Sequence, residues 1–221
     1  MQKTRLSLIA AALITALPLL QGCVPAVIVT GAAVGVMTAH DRRSTGTQTD
    51  DETAEWKAAQ QIPEQFKSQT HANFTSYNRR LLITGETPSE EAKAVIGEQV
   101  RKVEGVREVF NELVVAPPSG LGNRSNDSYI TSKLKARLVD SNQISANHVK
   151  VVTENTVAYL MGMVTEREAK VAIAVARTTD GVRKVVSVLE VLPEADIRRI
   201  DNTAPGGAKT PPPQTAPVET R

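Results

Sequence analysis

The feature that most constrains this chain is that it repeats itself. "NRRLLITGETPSEEAKAV", beginning at Asn78, matches "NTVAYLMGMVTEREAKVA", beginning at Asn155, at a shift of 77 residues. Gly85 falls on Gly162, Glu91 on Glu168, Ala92 on Ala169 and Lys93 on Lys170. Further on, "VEGVREV" matches "TDGVRKV" at a shift of 76, so one residue is lost between the blocks. The simplest account is two copies of one small module, residues 51–116 and 125–192, joined by a linker at 117–124.

Each copy spells out the same elements. In the second, Asp127 stands ahead of a helical pattern with Ile130, Leu134 and Leu138 at i, i+4 and i+8. Two strand-like runs follow, "HVKVVT" and "TVAYLMGMV", with a tight turn expected at Glu154-Asn155. Thr165 with Glu168 then has the Thr-x-x-Glu form of a capping box that opens a helix. The first copy offers Thr87-Pro-Ser-Glu90, with Pro88 expected at the first helical position, where its missing N–H costs nothing. Gly105 and Gly181 suit the left-handed residue that ends a helix, and a last strand follows each. The order α-β-β-α-β predicts an α+β fold: two modules, each a three-stranded sheet with two helices on one face. In the first copy, Pro63 interrupts the opening helix.

The ends read differently. Lys3 and Arg5 precede an apolar run of modest length, the layout of a secretory signal peptide over residues 1–22. Pro18 interrupts that run, which is short for a spanning helix of about 20 apolar residues. It closes on Leu20-Gln21-Gly22-Cys23, and Cys23 is the only cysteine in the chain. This resembles the bacterial lipobox, in which the thiol is acylated and becomes the new N-terminus. Val24, rather than Asp, by the same resemblance implies sorting to the outer membrane. Two or more acyl chains, palmitate among them, anchor a protein stably, at about 0.8 kcal/mol per buried methylene. Residues 23–50 read as a lipidated linker, with a Gly/Ala/Val-rich part at 24–39 followed by the polar "HDRRSTGTQTDDE". At the other end, residues 200–221 read as a disordered Pro-rich tail, a spacer or a ligand for a partner.

With these elements in place, the order, the glycine after the second strand's apolar run, and the "GV-x-x-V" that leads into the last strand resemble the BON domain. "GLGNRSNDSYITSKLKARL" and "VVTENTVAYLMGMVTEREAK" carry the resemblance most strongly. Two such modules behind a lipobox are similar to the dual-BON outer-membrane lipoproteins that bind lipid and serve division and envelope stress. That resemblance implies a lipid-anchored protein facing the periplasm, and it implies that the first helix of the second module meets anionic phospholipid.

The residues themselves offer little chemistry. His40, His71 and His148 are scattered, no pair has zinc-ligand spacing, and there is no Gly-x-Ser-x-Gly nucleophile turn. Gly120-Leu-Gly122 lacks the rest of a phosphate loop and reads as a turn between modules. The expectation is a binding protein without cofactor, metal or catalytic residues. Net charge is +2 at pH 7, which makes no case for nucleic acid. Residues 51–116 hold eight Lys/Arg against eleven Asp/Glu, whereas 125–192 hold nine against seven, so the second module is the one suited to an anionic surface.

On a helix advancing about 100° per residue, Ile130, Leu134 and Leu138 form one stripe. Tyr129, Ser132, Lys133 and Ala136 fall on another face, with Arg137 on its flank. A ring beside two cations suits a headgroup layer, and these five residues are the expected phospholipid contact. The alternative is that Tyr129 packs under the linker or against the first module. Thr53 takes the place of Tyr129 in the first copy, and Trp56 that of Ser132. Trp56 stands open between a module contact and a second interfacial anchor. A protein-interaction adaptor with an envelope or peptidoglycan-associated partner is the competing function.

Overall fold

The computed structural model describes residues 41–203. The expected signal peptide, Cys23, the segment 24–39 and residues 204–221 of the tail lie outside them. In the first module, helix α1 (Thr45–Ala59) opens at Ser44, whose hydroxyl accepts the Thr47 N–H. The polar stretch up to residue 50, expected as linker, is therefore helical from Thr45. Its Ser, Thr and Asp residues look like linker composition, but Ser44 caps the helix, the Thr49 hydroxyl donates to the Thr45 carbonyl, and Asp51 just beyond accepts backbone N–H groups. After the single turn α2 (Glu64–Lys67) come β1 (His71–Tyr77), β2 (Arg80–Thr87), α3 (Glu90–Arg101), β3 (Glu108–Asn111) and β4 (Val114–Val115).

The second module runs α4 (Leu121–Asp140), a 3-10 turn (Ala146–His148), β5 (Lys150–Glu154), β6 (Val157–Val164), α5 (Glu166–Arg177) and β7 (Lys184–Val191). A further helix, α6 (Glu194–Thr203), follows it and buries Ile197. Residues 200–203, expected in the disordered tail, are thus its last turn. Helix α4 also starts early: Gly120 is its N-cap, so Leu121 and Gly122 are helical rather than an inter-module turn.

In each sheet the middle strand pairs antiparallel with its predecessor and parallel with the last strand, β1-β2-β3 and β5-β6-β7. In the first sheet the last strand is split, with β3 and β4 both pairing to β2. The break lies between Asn111, whose amide donates to the Lys93 carbonyl, and Leu113, which turns into the core. Gly97 makes this possible, since a Cβ there would stand 2.6 Å from the Asn111 amide nitrogen.

Both hairpins turn on two residues of positive φ, Asn78-Arg79 and Asn155-Thr156, so the second turn lies one residue beyond the expected Glu154-Asn155. Positive φ is unfavourable for a β-branched residue such as Thr156. A buried carboxylate from the opening helix compensates. Asp127 accepts the N–H groups of Asn155 and Thr156 at 2.8 and 2.9 Å. Asp51 does the same for Asn78 and Arg79, both at 2.8 Å. Asp127 thus sits inside α4 instead of ahead of it.

The capping box on α5 is present as read, Thr165 with Glu168. In the first copy the cap is Ser89, not Thr87; Thr87 still belongs to β2, and Pro88 precedes the cap. β2 and β6 superpose at a shift of 77 but the caps and helices that follow at 76, so Pro88 is the extra residue, and Glu91, Ala92 and Lys93 take the places of Arg167, Glu168 and Ala169 instead of those the sequence match gave them.

Three apolar layers hold the unit together. Ala54, Ala58, Ile96 and Val100 from helices pack on Leu81 and Ile83 of β2. Leu134, Leu138, Ala172 and Ala176 likewise pack on Ala158, Leu160 and Val164 of β6. Burying one such leucine contributes about 1.5–3 kcal/mol. The alternate residues, Leu82 with Tyr159, Met161, Met163 and Val188, join Tyr77 in a third cluster. The two sheets therefore pack against each other through the faces their helices leave free. Arg80 donates to the Val188 carbonyl and Asn78 to Glu190 across the same seam.

Candidate functional site

Helix α4 is pinned on one side and open on the other. Ile130, Leu134 and Leu138 are fully buried, as the stripe predicted. On the open side Ser132 and Ala136 are exposed, and Tyr129 is 64% exposed, with its ring neither under the linker nor against the first module. The Ser132 hydroxyl turns back to the Ser128 carbonyl at 3.0 Å, leaving a smooth small-residue surface around the ring.

The two cations are not free. The Lys133 ammonium lies 2.8 Å from the Asp180 carboxylate and 4.9 Å from the centre of the Tyr129 ring. The bond to Asp180 raises the lysine pKa and lowers that of Asp180. The Arg137 guanidinium donates to the hydroxyls of Thr179 at 2.9 Å and Thr178 at 3.0 Å and to the Val175 carbonyl. It thus sits on the C-terminal end of α5, where unpaired carbonyls favour a cation. Both side chains flank the open face at half burial rather than crown it.

Two residues outside the expected set extend this face. Leu121 at the start of α4 is 81% exposed and Val139 near its end 58%. A helix of 20 residues is about 30 Å long, so the exposed apolar points stand at both ends and at Tyr129 between them. The signal for Leu121 and Val139 was in the sequence: both fall close to Ser132 and Ala136 at helical spacing once α4 is extended back to Gly120. Trp56 is 67% exposed on α1. It makes no module contact of the buried kind.

Among the described residues one cluster has the composition of a metal site. His71, Glu86 and Glu154 offer ligand atoms that all lie within 4.8 Å of one another. They come from β1, β2 and β5, so no local spacing in the sequence links them.

Comparison with known proteins adds the following. The BON domain family matches residues 50–117 and 126–193. Outer membrane lipoprotein DolP of Haemophilus influenzae is 40% identical over 175 residues, 78% of this chain and 90% of that protein. The 21 kDa hemolysin of Actinobacillus pleuropneumoniae is 36% identical over 151 residues, 67% of this chain and 78% of that protein. Among solved structures, the C-terminal domain of CdsD, a structural protein of the Type III secretion system of Chlamydia trachomatis, matches with a TM-score of 0.27 and 16% identity. That match covers 62% of this chain and 96% of the domain.

Proposed function

This chain belongs to the BON domain family, with two copies of the domain, and from that premise we propose that it is a lipid-anchored outer-membrane protein facing the periplasm. In this reading the second module holds anionic phospholipid against α4 and the protein supports envelope integrity. Anchoring rests on the lipobox at Cys23 and on the likeness to an outer membrane lipoprotein. Among the described residues no helix is long and apolar enough to cross a membrane, and in this reading the acylated cysteine carries the attachment. The role is binding, not catalysis.

The observation that carries the lipid reading is the exposure of Tyr129 on a small-residue face with Lys133 and Arg137 at its flank. A tyrosine that served the core would be buried like Tyr77 and Tyr159. Left in solvent between Leu121 and Val139, it offers an amphipathic ring at headgroup depth. Lys133 and Arg137, held sideways by Asp180 and Thr178, supply positive potential around it. Ser132 and Ala136 are small enough to let the helix lie close to a surface.

The test is co-sedimentation with vesicles of phosphatidylglycerol in phosphatidylcholine, using the mature chain with Cys23→Ser so that the anchor does not mask the module. Tyr129→Ala should weaken binding by a similar factor at every salt concentration, because burial of a ring is not screened. Lys133→Gln with Arg137→Gln should weaken it mainly at low salt. Both variants should keep the wild-type fold. If folded variants bind vesicles like the wild type, α4 is not the membrane contact.

The adaptor reading has one feature in its favour. Pro88, Val115, Pro117 and Pro118 line a cleft of about 480 Å³ beside the exposed Val114. An envelope protein partner docking there would leave vesicle binding indifferent to α4.

A further inference from the structure

The seam between the two sheets is apolar at one end and charged at the other. Tyr77 and Leu82 lie on the inner face of the first sheet, and the same alternation places Thr84 and Glu86 of β2 and His71 and Asn73 of β1 on that face. His71 and Glu86 are direct cross-strand partners. Glu154, at the end of β5, meets them from the second module: its Oε2 accepts from Asn73 at 2.8 Å and from Thr84 at 3.4 Å.

The charges here do not balance. Glu86 is 1% exposed and Glu154 6%. Neither accepts a hydrogen bond from lysine or arginine among the described residues. The donors to Glu86 are the Asn155 amide at 2.6 Å, the Ser119 N–H at 3.2 Å and the His71 ring at 3.1 Å. Arg124, which lines the adjoining cleft, donates to the Ser119 hydroxyl instead. Asp127, also buried nearby, is committed to the hairpin turn. Two buried carboxylates with one imidazole between them are costly unless a cation joins them.

Two further observations point to a ligand. Glu154 spends both of its hydrogen bonds on Oε2, so its Oε1 accepts none among the described residues. Glu154 and His71 also line an open cleft of about 520 Å³, through which an ion and its water can arrive.

We propose that His71, Glu86 and Glu154 bind a divalent transition metal of the zinc class and so tie the two modules together. One imidazole nitrogen and two carboxylate oxygens are a zinc donor set, with water from the cleft completing four-coordination. The imidazole argues against magnesium and calcium, which take oxygen ligands alone. Asn155 and Asn73 donate to the two carboxylates and orient them, as outer groups around such sites do. The ligands come from both modules, so binding requires the folded pair and stabilises it.

The experiment uses the mature chain with Cys23→Ser, which also removes a thiol that would itself take zinc. After chelator treatment, zinc chloride is titrated by calorimetry and its effect on melting recorded. One zinc per chain should bind, and saturating zinc should raise Tm by about 5 °C or more, while magnesium chloride should do neither. Glu154→Gln keeps an acceptor for Asn73 and removes a buried charge. Without metal it should melt at or above the wild-type temperature, yet bind zinc at least about tenfold more weakly. His71→Ala should lose the zinc response as well. Absence of saturable binding by about 1 mM zinc overturns the site, as does equal binding by wild type and folded Glu154→Gln. Failure here leaves the lipid reading untouched, since none of the three ligands lies on α4.

Discussion

Gly162 shows how a single position is decided by what approaches it. A Cβ on Gly162 would lie 2.2 Å from the His148 carbonyl oxygen, and one on Gly85 would lie 2.0 Å from that of His71, where φ is also +113°. The repeat of glycine at both sites therefore reports the same close passage of the first strand's lead-in across the second strand. Gly162→Ala should destabilise the folded unit by about 2–4 kcal/mol, since backbone has to move to admit the methyl group. Chemical denaturation read by circular dichroism measures this. An unchanged midpoint would show that β5 shifts at no cost. Asp51 and Asp127 are the polar counterpart of these glycines. Each is a charge placed on a helix for the N–H groups of a hairpin turn, and nothing in helical periodicity marks such a residue as buried.

At the scale of elements, α4 combines a packed stripe with an open one, and the balance of charge along its edge is set by the turn that follows α5. Asp180 sits 94% exposed at the Lys133 ammonium, where it offsets the positive potential that anionic headgroups would meet. Asp180→Asn should therefore strengthen binding to phosphatidylglycerol vesicles at low salt, with the gain fading as ionic strength rises. The melting temperature should hardly change, because exposed ion pairs contribute little to stability. Vesicle co-sedimentation at two salt concentrations decides it, and weaker or unchanged binding would mean that the cations at this edge do not face the membrane. Helix α6 has a different task. It covers part of the shared apolar layer with Ile197 and carries Asp201 to Arg42.

In the whole molecule, Arg42 joins segments that are far apart in the chain. It is buried, and it donates to Glu168 at 2.8 and 3.0 Å, to the Met163 carbonyl at 2.8 Å and to Asp201 at 2.8 and 3.2 Å. The segment ahead of the first module is thereby fastened to the second. Burial would raise the Glu168 carboxyl, but His148, Arg42 and the Thr165 N–H together hold it far below the ordinary carboxylate range. A depressed carboxylate contributes stability that is fully present above its unfolded pKa, near 4.5, and is lost as pH falls toward the folded value. Wild-type Tm should accordingly drop below pH 4.5, and Glu168→Gln should show a lower Tm at pH 7 with a shallower acid limb. Arg42→Met should cost on the order of 3 kcal/mol at pH 7, because it leaves Glu168 and Asp201 without their guanidinium. A thermal melt series from pH 3 to 7 tests both, and parallel acid limbs in wild type and Glu168→Gln would exclude this linkage.

The sequence by itself determined the two-module α+β plan, the element order, the core stripe of α4, the Thr165 capping box and the outward place of Tyr129. These follow from period, caps and glycines, which act within a few residues and so leave a local imprint. It misplaced the start of α1 and α4 and the cap of α3, because Ser, Asp and Gly read as loop when they are caps or acceptors, and it missed α6 altogether. Only the tertiary structure decided that the sheets face each other, that Lys133 and Arg137 are held by the end of α5 and the turn after it, and that His71 and Glu86 meet Glu154. One trace of the first was present: "LLIT" and "VAYLMGMV" are apolar on both faces, the mark of strands covered on both sides. What covers the second face, and which charges close on one another there, depends on residues brought together only when the two copies pack, and no periodicity along the chain carries that information.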